Sequence, residues 1–134
     1  MKSDEDISID VFLVIKGSVL EASVSGVLTY DERPKESDLE DIIISILDNN
    51  AGQIQEAFVN VNIYVPDVWR DSRGYVKNKQ RVMELCDMAI DILEVYNGGD
   101  FRFEIVKQRV HKVNGKNEHF INNKLLYRQN NEIV

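Results

Sequence analysis

The chain has 134 residues, 43% of them hydrophobic, with 16 basic against 23 acidic side chains and a net charge of −7. That length and apolar content suit one folded domain and exclude a disordered chain. The acidic balance excludes a protein that grips the outside of a duplex through a basic footprint, and the lone cysteine, Cys86, excludes an internal disulfide or a multi-cysteine metal site.

Residues 1–6 are polar and acidic, unlike the basic-then-apolar start of a signal peptide, and are expected to fray. Two patterns overlap from Ile7 to Ser25. Ile7, Val11, Val14, Ile15, Ser18, Val19 and Ala22 fall on one helical face. Ile7, Ile9, Val11, Leu13 and Ile15 also alternate as a strand would, with Lys16-Gly17-Ser18 as a hairpin turn. The spacing through Ala22 favours the helix and the β-branched content favours the strand, so the residues leave both open. Gly17 inside a helix costs about 1 kcal/mol relative to Ala.

After Gly26, Val27–Tyr30 reads as a short strand and Asp31–Asp38 as a charged loop, extended at Arg33-Pro34 because the residue before proline is pushed out of the α region. Ile42–Leu47 reads as a strand buried on both faces, and Asp48–Gly52 as a turn. The chain then returns from Gln53 to Val65, giving an antiparallel pair. Val59, Val61, Ile63 and Val65 alternate with Phe58, Asn60, Asn62 and Tyr64, so one face of this strand belongs to a core and the other is partly solvated or partner-facing. Pro66 cannot donate to a ladder and ends it.

Asp67–Lys77 is an eleven-residue charged loop around Trp69, Gly74 and Tyr75, a length typical of functional or flexible connections. Trp69 either anchors a contact or folds back onto the core. Asn78–Tyr96 reads as a long helix, about 28 Å at 1.5 Å per residue, with Asn78 as cap. Val82, Leu85, Cys86, Ala89, Leu93 and Tyr96 form its apolar stripe, and Asn97-Gly98-Gly99 ends it. Cys86 on that stripe reads as a small buried hydrophobe, not a nucleophile. Phe101–Ile105 opens another strand whose apolar parity then slips to Val106 and Val110, the mark of a bulge or an exchange of faces. Asn114-Gly115 is a type I′ hairpin signal, with His119–Arg128 as the returning arm. Residues 129–134 are polar enough to fray.

Catalytic signatures are missing. No glycine-rich phosphate loop, Ser/His/Asp order or HExxH motif occurs, so no enzyme chemistry and no cofactor are expected. His111 and His119 flank the predicted turn and would approach each other across the hairpin, but two ligands without a third do not make a metal site. Phe101 and Phe103 beside Arg102 have the look of a stacking platform for single strands, yet the net charge assigns both rings to the core. No apolar run approaches the roughly 20 residues of a membrane span.

Several landmarks, taken together, resemble a family. They are Gly26, Arg33-Pro34, Ser37, Glu40-Asp41-Ile42-Ile43-Ile44, and the series from Val59 to Asp67, VNVNIYVPD. In this order and spacing they resemble the small tail-completion proteins of long-tailed bacteriophages and prophages, the tail-terminator or head–tail joining group. The similarity runs from about Ile7 to Arg128. It implies a single α+β domain over residues 1–134 in the order α-β-β-β-α-β-β, with an antiparallel sheet packed against the long helix and preceded by an N-terminal helix. It also implies a structural role: a homo-oligomeric ring, commonly a hexamer, on the end of the tail tube. Its partners would be further copies of itself, the tail tube protein and the head connector or stopper protein, with DNA passing through the bore without sequence-specific contact. The protein would sit in the bacterial cytoplasm during assembly and then in the virion, at the tail or neck. An acidic surface suits a lumen that repels DNA.

On that resemblance the two charged loops are interface candidates. Asp31, Glu32, Arg33 and Pro34 belong to the first, and Asp67, Trp69, Arg70 and Tyr75 to the second. Arg33, Trp69, Arg70 and Tyr75 would be the anchors, because arginine and aromatics carry most interface energy. Asn60, Asn62 and Tyr64 would lie near a subunit boundary. The alternative is an acidic monomeric binding or inhibitor module without enzymatic activity. A third reading is a small metal-dependent enzyme built on His111, His119 and nearby carboxylates.

Overall fold

The computed structural model describes residues 1–52 and 54–130. In chain order it comprises α1 (Asp4–Ile15), α2 (Val19–Ser23), β1 (Leu28–Tyr30), β2 (Ile42–Ala51), β3 (Gln55–Pro66), β4 (Val68–Arg70), β5 (Gly74–Val76), α3 (Lys79–Leu93), β6 (Val95–Asn97), β7 (Phe101–Lys112) and β8 (Glu118–Gln129). Six strands form one sheet in the order β1-β2-β3-β8-β7-β6, and β4 pairs only with β5. The β1–β2 pairing is parallel and the others in the sheet are antiparallel, so the sheet is mixed.

This corrects the expected fold class. The protein is mostly β with three short helices, not an antiparallel sheet on one long helix. The 28 Å helix fails because the chain leaves helical geometry after Glu94, where β6 begins at Val95. Tyr96, read as the last turn of a stripe, instead stands on β6 opposite Phe103. α3 has 15 residues, about 22 Å. It shares the cover of the sheet with α1, which lies against β2 while α3 lies across β7 and β8.

The N-terminal segment is helical but broken. Ser3 and Asp6 form a capping box that starts α1, so residues 4–6 are its first turn and not a frayed end. Gly17, at φ +78°, stops the helix where a side chain would be strained. Its N–H donates to Glu21 Oε1 at 2.8 Å, and Ser18 caps α2. Ile7, Val11 and Ile15, four residues apart, are fully buried, whereas Val19 is 72% exposed.

The core lies between the helices and one face of the sheet. Val59, Val61, Ile63 and Val65 all point into it, as the alternation of β3 predicts, alongside Val82, Leu85, Ala89 and Leu93 of α3. Each full burial of a Val or Leu side chain contributes about 1.5–3 kcal/mol. β3 ends at Pro66. β2 continues through the expected turn to Ala51 after a bulge between Ile46 and Asp48. Gln53, expected to start the returning strand, lies outside the described residues, as do 131–134 of the expected frayed end; Gln129 still belongs to β8. The parity slip in β7 is a register shift between Ile105 and Lys107. Phe103 is buried and stacks with Tyr96 and Phe101, which in turn stacks on Tyr127.

Candidate functional site

The landmark residues of the first charged loop converge on one buried clasp. Arg33 donates from Nε to Asp41 at 2.7 Å and from both terminal nitrogens to Glu118, at 2.6 and 2.8 Å. Both carboxylates are 1% exposed, so a planar fork of donors is needed to neutralise and saturate them. Ser37 Oγ donates to the same Asp41 oxygen at 2.6 Å, and the Val27 N–H donates to the other at 3.0 Å. Gly26 has to be glycine here: a Cβ would stand 2.2 Å from Asp41 Oδ1 and 2.6 Å from the Glu40 carbonyl.

Electrostatics follow from this geometry. Burial opposes the charge of Arg33, but its bonds to Glu118 and Asp41 outweigh it and raise the pKa. Burial likewise pushes the Asp41 carboxyl up, and the bonds from Ser37, Arg33 and Val27 more than reverse that. Glu40, next in the chain, takes Arg81 of α3 at 2.7 and 2.8 Å, while Arg81 also reaches the Ser23 carbonyl at 2.7 Å. The bonds to Glu40 outweigh burial and raise the Arg81 pKa. The Glu40–Asp41 pair therefore fastens the loop to both the sheet and the helices. Arg33, expected as an outward anchor, is consumed by the clasp. Its guanidinium also covers the Tyr64 ring at 4.0 Å. Asp31, Glu32 and Pro34 are exposed, with Asp31 at φ +70°.

Asp67 is likewise turned inward. Its side chain is 2% exposed and lies 2.7 Å from His119 Nδ1 and 3.2 Å from Lys112 Nζ. His119 does not meet His111. His111 is paired with Phe120 in the register and packs on its ring at 5.2 Å, so the two imidazoles lie on opposite faces. Gly115 has φ +73°, but Asn114 does not have a positive φ and Lys112 pairs with His119, so the connection is longer than a type I′ turn. Among the described residues no group of three His, Cys, Asp or Glu has the arrangement of a metal site. Cys86 is half-buried, and burial, with Asp87 beside it, pushes its thiol up, away from nucleophilic character.

The second charged loop is an arm. β4 and β5 form a hairpin outside the main sheet, with Trp69 opposite Tyr75 and their rings edge to face at 5.2 Å. Trp69 is 58% and Tyr75 54% exposed, so the tryptophan does not fold back on the core. Arg70 is exposed beside them.

Asn60, Asn62 and Tyr64 lie on the sheet face opposite the helices. The Asn122 amide bridges Asn60 and Asn62 at 3.0 and 2.8 Å. Tyr64 packs on Phe120 at 5.6 Å, which continues the row from Arg33 to His111. Beside the amides stand Lys107, Arg109 and Lys124, with Leu47 at the rim. Sequence reasoning missed these four. The signal was present in the hairpin: once β7 and β8 are paired through the bulge, Lys107 falls opposite Lys124 and Arg109 opposite Asn122.

Fold and site define a mostly β domain whose sheet, among the described residues, carries helices on one face and whose polar clusters fasten the structure together. Compared with known proteins, the chain matches no family model and no curated protein. Among the described residues no helix is long and apolar enough to cross a membrane.

Proposed function

We propose that the protein is a structural assembly subunit of the phage tail-completion type, a tail terminator or head–tail joining protein that works as a ring on the end of a tail tube. The observation that carries the reading is the β4–β5 arm, which presents an edge-to-face Trp69–Tyr75 pair, both more than half exposed, beside Arg70. Aromatics and arginine are the residue types that anchor protein interfaces, and a monomer gains little by exposing them together on a projecting hairpin. The landmark series from Gly26 to Asp41 supports the reading from another side, because its residues act together as one structural unit with no substrate-facing group. In the ring, copies contact one another and the tube and connector proteins, and DNA passes through the bore.

Light scattering behind size exclusion at high protein concentration, followed by negative-stain imaging, tests the proposal. A ring of roughly five to seven copies with a hole of about 20 Å or more, wide enough for a duplex, is the expected result. A strict monomer that also fails to bind isolated tail tubes overturns it.

A further inference from the structure

The open sheet face carries a charge anomaly for so acidic a chain. Lys107, Arg109 and Lys124 have no carboxylate within ion-pair distance among the described residues. Lys107 and Lys124 stand directly opposite each other on β7 and β8. Like charges so placed repel and destabilise a sheet. The nearest relief is the Phe58 ring under Lys124 Nζ at 4.5 Å, and the neighbouring amides of Asn60, Asn62 and Asn122 are already bonded to one another. Among the described residues these cations lack an anionic partner.

An anionic surface of matching dimensions lies on the opposite side of the same molecule. α3 turns Val82, Leu85, Ala89 and Leu93 to the core and leaves Glu84, Asp87 and Asp91 exposed. Only Glu84 has an intramolecular cation among the described residues, Arg81 at 3.3 Å. Asp87 and Asp91 are one turn apart, about 6 Å along the helix. Lys107 and Arg109 are two residues apart on one strand face, about 7 Å. An exposed apolar side chain lies beside each surface, Met83 (60%) on α3 and Leu47 (58%) at the rim of the sheet face.

We infer that the open face of one copy takes the Asp87–Asp91 side of α3 from a second copy, with Lys107 and Arg109 facing the two carboxylates. The two surfaces sit on opposite sides of the subunit, so the contact is head-to-tail and repeats until rotation closes it into a ring. It also cancels charge locally between chains that repel each other at −7 apiece. The inference rests on the self-assembly reading and assigns it a contact beside the one made by the β4–β5 arm.

Charge reversal tests it, with light scattering as the readout and circular dichroism as the check on folding. K107E/R109E alone and D87K/D91K alone are each expected to raise the concentration needed for assembly by about tenfold or more. Mixing the two variants restores assembly, because each reversed surface then finds its complement, and so does the quadruple variant on its own. If both double variants assemble like the wild type, the interface is overturned while the ring reading stands. A wild-type chain that never self-associates overturns both. Binding of a labelled DNA oligonucleotide that K107E/R109E abolishes, with self-association untouched by either variant, assigns the face to a polyanion and overturns the inference.

Discussion

Arg33 ties the first charged loop to the sheet through Asp41, Glu118 and the Tyr64 ring. It neutralises two carboxylates that are each 1% exposed, Asp41 and Glu118, which are 77 positions apart in the chain. Arg33→Ala leaves Asp41 buried without a counter-charge and Glu118 with only Lys116, 3.6 Å away, a change that costs about 3–5 kcal/mol; chemical denaturation would read it directly. Arg33→Lys keeps the charge but loses the two-pronged contact with Glu118, and is expected to recover less than half of that loss. Gly26→Ala forces a methyl group into Asp41 Oδ1 and the Glu40 carbonyl, and is expected to destabilise by about 1–3 kcal/mol through the same clasp. The clasp also sets an acid limit. The Asp41 carboxyl is held below its ordinary value of 3.8 in the folded state, so its contribution is fully present above that value and is lost as pH falls through the lower folded value. Thermal midpoints measured from pH 5 downward should therefore drop steeply below about pH 4. Asp41→Asn should be less stable at neutral pH and show a shallower acid limb.

Elements divide into those that announce themselves and those that do not. β3 was legible because strict alternation of Val59, Val61, Ile63 and Val65 with polar or aromatic partners admits one reading, and Pro66 marked its end. The body of α3 was legible for the matching reason, an apolar stripe behind an Asn78 cap. β6 was not, because three residues are too few to show a period and Tyr96 happens to continue the helical spacing. The parallel partnership of β1 with β2 leaves no local trace at all. The two histidines were misplaced because 113–118, an even number of residues, separate the last paired positions, Lys112 and His119. That puts residues 111 and 119 on opposite faces. The arm was hidden inside what reads as a charged loop, since Trp69 and Tyr75 pair through a turn with Gly74 at φ +73°. The arm contributes little to the core, so Trp69→Ala with Tyr75→Ala should change unfolding free energy by about 1 kcal/mol or less. The same double variant should abolish assembly in the light-scattering experiment. A large loss of stability would instead give the two rings a folding role and remove the main support for an interface.

At the scale of the whole molecule the governing quantity is charge and its placement. Lys107, Arg109 and Lys124 stand on the open sheet face and Glu84, Asp87 and Asp91 on the outer side of α3, so the inferred head-to-tail contact would remove the basic patch from solvent and leave the net acidic balance of the chain exposed elsewhere. In the proposed ring, six copies at −7 each would carry about −42. A net charge of that sign disfavours the exchange of cations for the counterions of a duplex, and it repels the polymer at distances below a Debye length, about 8 Å in physiological salt. A tail ring needs that property: DNA must move through the bore without being held at any position along its path. The expectation is that the assembled protein shows no saturable binding to duplex DNA in fluorescence anisotropy at physiological salt. Lowering the salt should not rescue binding, since there are few counterions to release. Saturable binding in the micromolar range that weakens steeply as salt is added would place an exposed cationic track on the assembled particle, and DNA passage would then have to work by contact instead of repulsion.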